Sequence, residues 1–196
     1  MEKYKNSYNE KNIVLKPGIN KKFFQLLKKL YSPFLSSTHL KDKFTFTIFF
    51  KDLEYPIGVV SLNKGENTFT QIALIPEMMG KGLGKYVYFT LLNLPEIKKF
   101  IQKIDWTAKR ENYPSLKLLY ELGGGIFENN IIYQRRSYEG FFRVNKKVSK
   151  KMRECLEKVL PMSKEWYKEW YQKEYSSRKK ELILLREYLE EYGNKY

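Results

Sequence analysis

The residue types best suited to chemistry in this chain stand together in IPEMMGKGLGKY, residues 75–86, where Gly80, Gly82 and Gly84 alternate with Lys81, Leu83 and Lys85. A strand-like run ending in proline precedes them, and a helical pattern follows. Glycine leaves main-chain N–H groups unobstructed, and a helix starting there adds its positive end, so the stretch suits a phosphate group. Two familiar phosphate-binding patterns fail against the letters. A P-loop needs glycine where Met79 stands and a hydroxyl residue where Tyr86 follows Lys85. A dinucleotide fingerprint puts its third glycine at Lys85 or Val87, and the strands before it read as a hairpin instead of a βαβ unit.

The elements that must position this stretch can be read from periodicity. NIVLK (12–16) reads as a strand ended by Pro17-Gly18, and KKFFQLLKKLY then repeats apolar residues at Phe23, Leu26, Leu27 and Leu30, the spacing of a helix. FTFTIFF (44–50) and IGVVSL (57–62) read as antiparallel strands across the turn at EYP, and TFTQIALI (68–75) is the strand that enters the glycine motif. Leu83, Val87, Leu91 and Leu92 predict a buried helix ending near Pro95. FIQKIDWTA (100–108) alternates as a strand, PSLKLLYEL (114–122) reads as a short helix, and IFENNIIYQRR and EGFFRV read as closing strands.

After about residue 145 the character changes. SKKMRECLEKVL (149–160) and the run 163–193 are rich in helix formers and separated by Pro161, which predicts a two-helix extension. The division expected is a domain over 1–145 and a helical extension over 146–196. Trp166, Tyr167, Trp170 and Tyr171 form aromatic rows at spacing four, read as core contacts, and Leu182, Leu185 and Leu189 offer either a cap over an acceptor cleft or a dimer seam.

Composition bounds the function. With 196 residues, 42% hydrophobic and 30% charged, the chain is globular, and its net charge of +15 attracts anions such as phosphorylated ligands, nucleic acid or acidic partners. Residues 1–140 carry 22 Lys/Arg against 13 Asp/Glu, and residues 141–196 carry 15 against 9, so the charge is spread over the surface. Cys155 and His39 are each alone, which removes an intrachain disulfide, cysteine-pair metal ligation and any triad other than one built on His39. The N-terminus lacks a signal-peptide core and no apolar run is long enough for a membrane helix, so a soluble cytoplasmic protein is expected.

Met79-Gly80-Lys81-Gly82-Leu83-Gly84 resembles the central motif of the GNAT superfamily of acyl-CoA dependent N-acetyltransferases, which runs Arg or Gln, two residues, Gly, one residue, then Gly or Ala. Met79 departs from the Arg/Gln position. The order of elements over residues 10–145 is similar too. A second signature of the family places Asn, a small residue, a tyrosine and Leu-Gly after the fifth strand. Asn112, Ser115, Leu122 and Gly123 fall in register, whereas Leu119 holds the tyrosine position and Tyr120 stands one place on.

The resemblance implies an α+β fold of α/β-sandwich type, with a central mixed, mostly antiparallel twisted sheet flanked by helices. It implies that acetyl-CoA is the cosubstrate, without a metal, and that an amine attacks the thioester directly. Its cofactor contacts fall on Leu74 and Ile75 of the strand, on Gly80, Lys81, Gly82, Leu83, Gly84 and Lys85 of the turn, and on Asn112 and Ser115. Tyr120 is its candidate acid for the departing thiolate, while Gln71 and Glu66 are candidates for the base; Glu77 reads as a solvated turn residue. The acceptor is an amine of unspecified identity, itself anionic or carried on an anionic partner, with its pocket over residues 20–42. The alternative is a catalytically degraded module of the same fold that contacts RNA or an acidic protein through its basic surface.

Overall fold

The computed structural model describes residues 12–32, 34–35, 44–63, 70–99, 101–132, 136–144 and 146–193. His39, Glu66 and the later part of the expected acceptor region lie outside the described residues. The chain divides into two compact units, the first made of Met1–Asn63, Gln71–Lys99 and Lys179–Tyr196, the second of Lys64–Thr70 and Phe100–Arg178.

In the first unit, strands β1 (Ile13–Pro17), β2 (Phe44–Phe50), β3 (Pro56–Leu62) and β4 (Thr70–Leu74) form one sheet in that order. β1 and β2 are antiparallel, as are β2 and β3, with an irregularity between Ile48 and Phe49. All seven residues of β3 are buried, the mark of an interior strand covered on both faces. Helix α1 (Lys21–Leu30) starts where the Asn20 side chain accepts a hydrogen bond from the Phe23 N–H at 3.1 Å. It buries Phe23, Phe24, Leu26, Leu27 and Leu30, leaving its lysines on the wet face. A single 3₁₀ turn, Pro76–Met78, joins β4 to the glycines, after which come α2 (Leu83–Asn93) and the short α3 (Pro95–Lys98).

The second unit holds an antiparallel sheet of β5 (Lys103–Lys109), β7 (Ser137–Arg143) and β6 (Gly125–Ile126) in the order β5-β7-β6. Burial alternates along β5, so Ile104, Trp106 and Ala108 face inward, opposite Phe142, Gly140 and Tyr138 of β7. Helix α4 (Tyr113–Glu121) contacts β5 and the long helix α6 (Lys150–Trp170), which also covers β6. Where the sequence reads a strand over IFENNIIYQRR, β6 is only two residues long and a helical turn, α5 (Asn129–Ile132), follows. The expected strand is cut short because Glu128 leaves the ladder, accepting the Ile131 N–H through its carbonyl and pairing its carboxylate with Lys151 at 2.6 Å.

The antiparallel sheets flanked by helices bear out the α+β class. The sheet expected as one central layer is two sheets among the described residues. The helical extension also differs from expectation at Pro161, which lies inside α6 instead of between two helices. Proline there removes one intrahelical hydrogen bond, yet Cys155, Leu156, Val159 and Ser163 keep one buried face continuous across it. The chain leaves α6 through a π-helical turn at Tyr171–Tyr175 and then Ser176-Ser177, whose hydroxyls hydrogen-bond the carbonyls of Gln172 and Glu174. Helix α7 (Lys179–Gly193) follows and belongs to the first unit, packed on α1. Its Leu185 and Leu189 are buried there, beside Tyr188 stacked on Phe23 at 5.6 Å. Two of the three leucines expected for a cap or a dimer seam, Leu185 and Leu189, are thus packed inside the chain. No helix among the described residues is long and apolar enough to cross a membrane. Burial pushes the lone thiol, Cys155, above its ordinary pKa, so it behaves as a small apolar core residue.

Candidate active site

In the first unit the glycine turn is built from main chain. Ile75 is extended, Pro76 opens the 3₁₀ turn, and Met78 and Met79 donate their N–H groups to the carbonyls of Ile75 and Pro76 at 2.9 and 3.1 Å. Gly80 and Gly82 then adopt left-handed φ of 72° and 76°, a conformation costly for any residue with a Cβ. Among the described residues no atom lies within 4 Å of where a Cβ would stand at either glycine. Gly82 is the N-cap of α2, and Gly84 lies within the helix's first turn.

That helix start has two further properties. No side chain caps it and no carboxylate lies in its first turn, so N–H groups that usually find a local acceptor are presented outward with the positive end of the helix dipole behind them. Lys81 is exposed, and Lys85 is half-buried with its ammonium 5.5 Å from the Phe89 ring centroid. Gly80, Lys81, Gly82, Leu83, Gly84 and Lys85 are thus contiguous around one basic, uncapped helix start. Leu83 differs from its neighbours, being buried at 1% exposure, so only its main chain is offered to a ligand.

Glu77 behaves differently from the solvated turn residue the sequence suggests. One carboxylate oxygen lies 3.5 Å from the Arg186 guanidinium of α7, and the other is buried without a hydrogen bond. Glu77 and Arg186 line a groove of about 540 Å³ with Glu54, Ile75 and Glu190. Three carboxylates against one guanidinium make that groove unsuited to a diphosphate.

The second unit carries the other signature. Asn112 caps α4, its side-chain oxygen accepting the Ser115 N–H at 3.3 Å, and the Ser115 hydroxyl accepts the Trp106 indole N–H at 2.9 Å. The sequence register of Asn112 and Ser115 therefore corresponds to a local cap locked to β5. Tyr120 lies near the other end of α4. Its hydroxyl donates to the Glu157 carboxylate of α6 at 2.9 Å, and the Arg153 guanidinium lies 3.9 Å from its ring centroid. Arg153 also donates to the carbonyls of Tyr120 at 2.7 Å and Gly124 at 3.2 Å. At the start of α4, the buried Ser163 of α6 donates to the Arg110 carbonyl, and the Arg110 guanidinium covers the Trp166 ring at 4.9 Å. Helix α6 thus holds α4 by both ends.

These α6 contacts escape the motif reading because their signals are ordinary residues 29 to 53 positions away. The aromatic rows pack on one another, Tyr167 against Trp170 at 5.7 Å and Tyr171 against Tyr175 at 4.5 Å, but none of Trp166, Tyr167, Trp170 and Tyr171 is buried and Tyr171 keeps 46% of its surface exposed, so they are not the core contacts expected. Burial raises the Tyr167 phenol above its ordinary pKa, with the neighbouring Tyr171 adding to the shift. Gln71, a candidate base, turns its amide toward the Phe34 carbonyl at 3.4 Å.

No protein-family model and no curated protein matches the chain. Solved structures do. An acetyltransferase from Bacillus subtilis, in complex with CoA, superposes with a TM-score of 0.51 at 18% identity, covering 68% of this chain and 98% of its own. A GNAT-family acetyltransferase from Bacillus anthracis gives 0.50 at 12% identity, over 67% and 95%. An IAA acetyltransferase from Bacillus cereus gives 0.50 at 19% identity, over 67% and 98%. At these identities the likeness establishes the fold, and the chain has the fold of the GNAT acetyltransferases.

Proposed function

We propose that the chain transfers an acetyl group from acetyl-CoA to a primary amine. The observation that carries this reading is the uncapped start of α2 behind two left-handed glycines, on a fold shared with acyl-CoA dependent enzymes. The donor set fits the cosubstrate: main-chain N–H groups of residues 80–85 and the ammonium groups of Lys81 and Lys85 receive the diphosphate, and the strand through Leu74 and Ile75 receives the pantetheine arm. In the second unit Asn112 and Ser115 form a signature of their own, a cap on α4 locked to β5. Asn112 spends its side-chain oxygen on the α4 cap, which leaves its amide nitrogen as a donor. Where Met79 stands the family has Arg or Gln, and in this proposal Lys81 and Lys85 supply the positive charge beside the diphosphate.

In the reaction, the neutral amine forms the C–N bond at the acyl carbon, the C–S bond breaks, and the nitrogen's proton is lost as the thiolate gains one. Tyr120 acts in this proposal as a tether between α4 and α6, and not as the thiolate's acid, because its O–H is already donated to Glu157. That engagement, with Met79, favours a second reading: a module of this fold that keeps the coenzyme site or a basic surface for RNA or an acidic protein and has lost turnover.

One assay separates the two. Purified protein with acetyl-CoA and a panel of primary amines is followed for free thiol and for amine mass gain of one acetyl group. Amine-dependent thiol release supports the transferase; coenzyme binding without release across the panel leaves the binding module.

A further inference from the structure

The outer edge of β4 is occupied by the protein's own phenol. Ile75 donates its N–H to the Ile57 carbonyl of β3 at 2.8 Å. The Leu74 C=O and the Ile75 N–H belong to one planar trans peptide group and point in opposite directions, so the Leu74 carbonyl points away from β3. Among the described residues β4 is the last strand of its sheet, and no strand of that sheet lies on this side. The Leu74 carbonyl is nonetheless satisfied, because the Tyr31 hydroxyl donates to it at 2.7 Å. Tyr31 stands at the C-cap of α1, its own N–H held by the Leu27 carbonyl at 2.9 Å, and its side chain is buried at 7% exposure. Three residues back along β4, Gln71 donates to the Phe34 carbonyl at 3.4 Å, so the segment leaving α1 touches this strand twice.

We propose that Tyr31 is a placeholder for the pantetheine arm: its hydroxyl holds the Leu74 carbonyl that an arm amide N–H takes when coenzyme binds, and it is released on binding. The inference rests on the acyl-CoA reading above. Three observations carry it. The occupied carbonyl is on the edge where an extended arm would pair with the strand. The occupant donates a single O–H, as the arm's amide donates a single N–H, so one replaces the other without leaving an unsatisfied acceptor. The neighbouring Ile75 carbonyl is already taken by Met78, which makes Leu74 the last strand carbonyl before the turn that is open to exchange. Coenzyme affinity is then lowered by the bond that must be exchanged, and the end of α1 moves when the arm seats.

The test compares CoA with ADP, which carries the diphosphate but no arm, on the wild type and Tyr31→Phe by titration calorimetry. Loss of one neutral hydrogen bond from the free state raises CoA affinity about fivefold in the variant and leaves ADP unchanged. Unchanged or weaker CoA binding overturns the inference, as does an equal gain for ADP, while CoA binding by the wild type keeps the acyl-CoA reading intact. A wild type that binds neither ligand removes both. A second measurement covers a variant that folds poorly: 3-fluorotyrosine at position 31 gives a fluorine resonance that shifts with CoA and stays in place with ADP. A resonance unmoved at saturating CoA overturns the placeholder role.

Discussion

The glycine turn of the first unit and helix α4 of the second carry the two halves of the GNAT-like signature, and they are built in opposite ways. The turn is bare: left-handed glycines, a helix start with no side-chain cap, and no carboxylate in the first turn. Helix α4 is bound at every point where its signature residues lie, by Asn112 and Trp106 at its start and by Arg153 and Glu157 toward its end. A signature that works through main-chain groups asks only that nothing cover them. One that works through side chains asks that they be free, and on α4 several already serve packing.

Replacing Arg153 gives the largest effect on this contrast. Arg153→Ala removes two hydrogen bonds to carbonyls and the cation over Tyr120, at a cost of about 2–3 kcal/mol in urea denaturation. Coenzyme affinity measured well below the unfolding transition stays within twofold. A large affinity loss would mean that α4 is less separable from the turn than this account holds. Gly82→Val comes next. A branched residue at φ 76° strains the turn and puts methyl groups beside the presented amides, so CoA binding by calorimetry falls at least tenfold, about 1.4 kcal/mol.

Tyr120→Phe sharpens the comparison from the other side. The account predicts about 1 kcal/mol of lost stability from the Glu157 bond and a kcat within threefold of wild type. A drop in kcat of a hundredfold or more would return Tyr120 to the acid role that the family comparison gives it. The smallest effect is expected at Lys85→Ala, a loss of about threefold in coenzyme affinity that shrinks as salt is raised, since a half-exposed ammonium acts mainly through screened charge.

What was legible in the sequence follows the same division. The strands of the first unit and the glycine turn carry local signals, alternation in FTFTIFF and the turn glycines, and they form close to where those signals place them. Pro161 misleads because a local helix breaker is overridden by a face of α6 buried against α4 and β6, information that resides in distant residues. The strand reading that starts at Ile126 stops short for a related reason: after Phe127, whose N–H still reaches the Glu139 carbonyl, Glu128 closes a turn and Asn129–Ile132 form helix. The leucines of α7 carry the right period for an interface, but periodicity does not say which surface they meet, and here it is α1. Tyr31 had no sequence signal at all, because its role depends on which way one carbonyl of β4 points.

The central claim is tested most directly by thermal unfolding of the full chain with increasing acetyl-CoA, run alongside Gly82→Val. A ligand bound only by the native state raises the midpoint in step with the logarithm of its concentration. The account predicts that rise for the wild type and its near absence in Gly82→Val. A wild-type midpoint unmoved at millimolar acetyl-CoA, or an equal rise in both proteins, would contradict it.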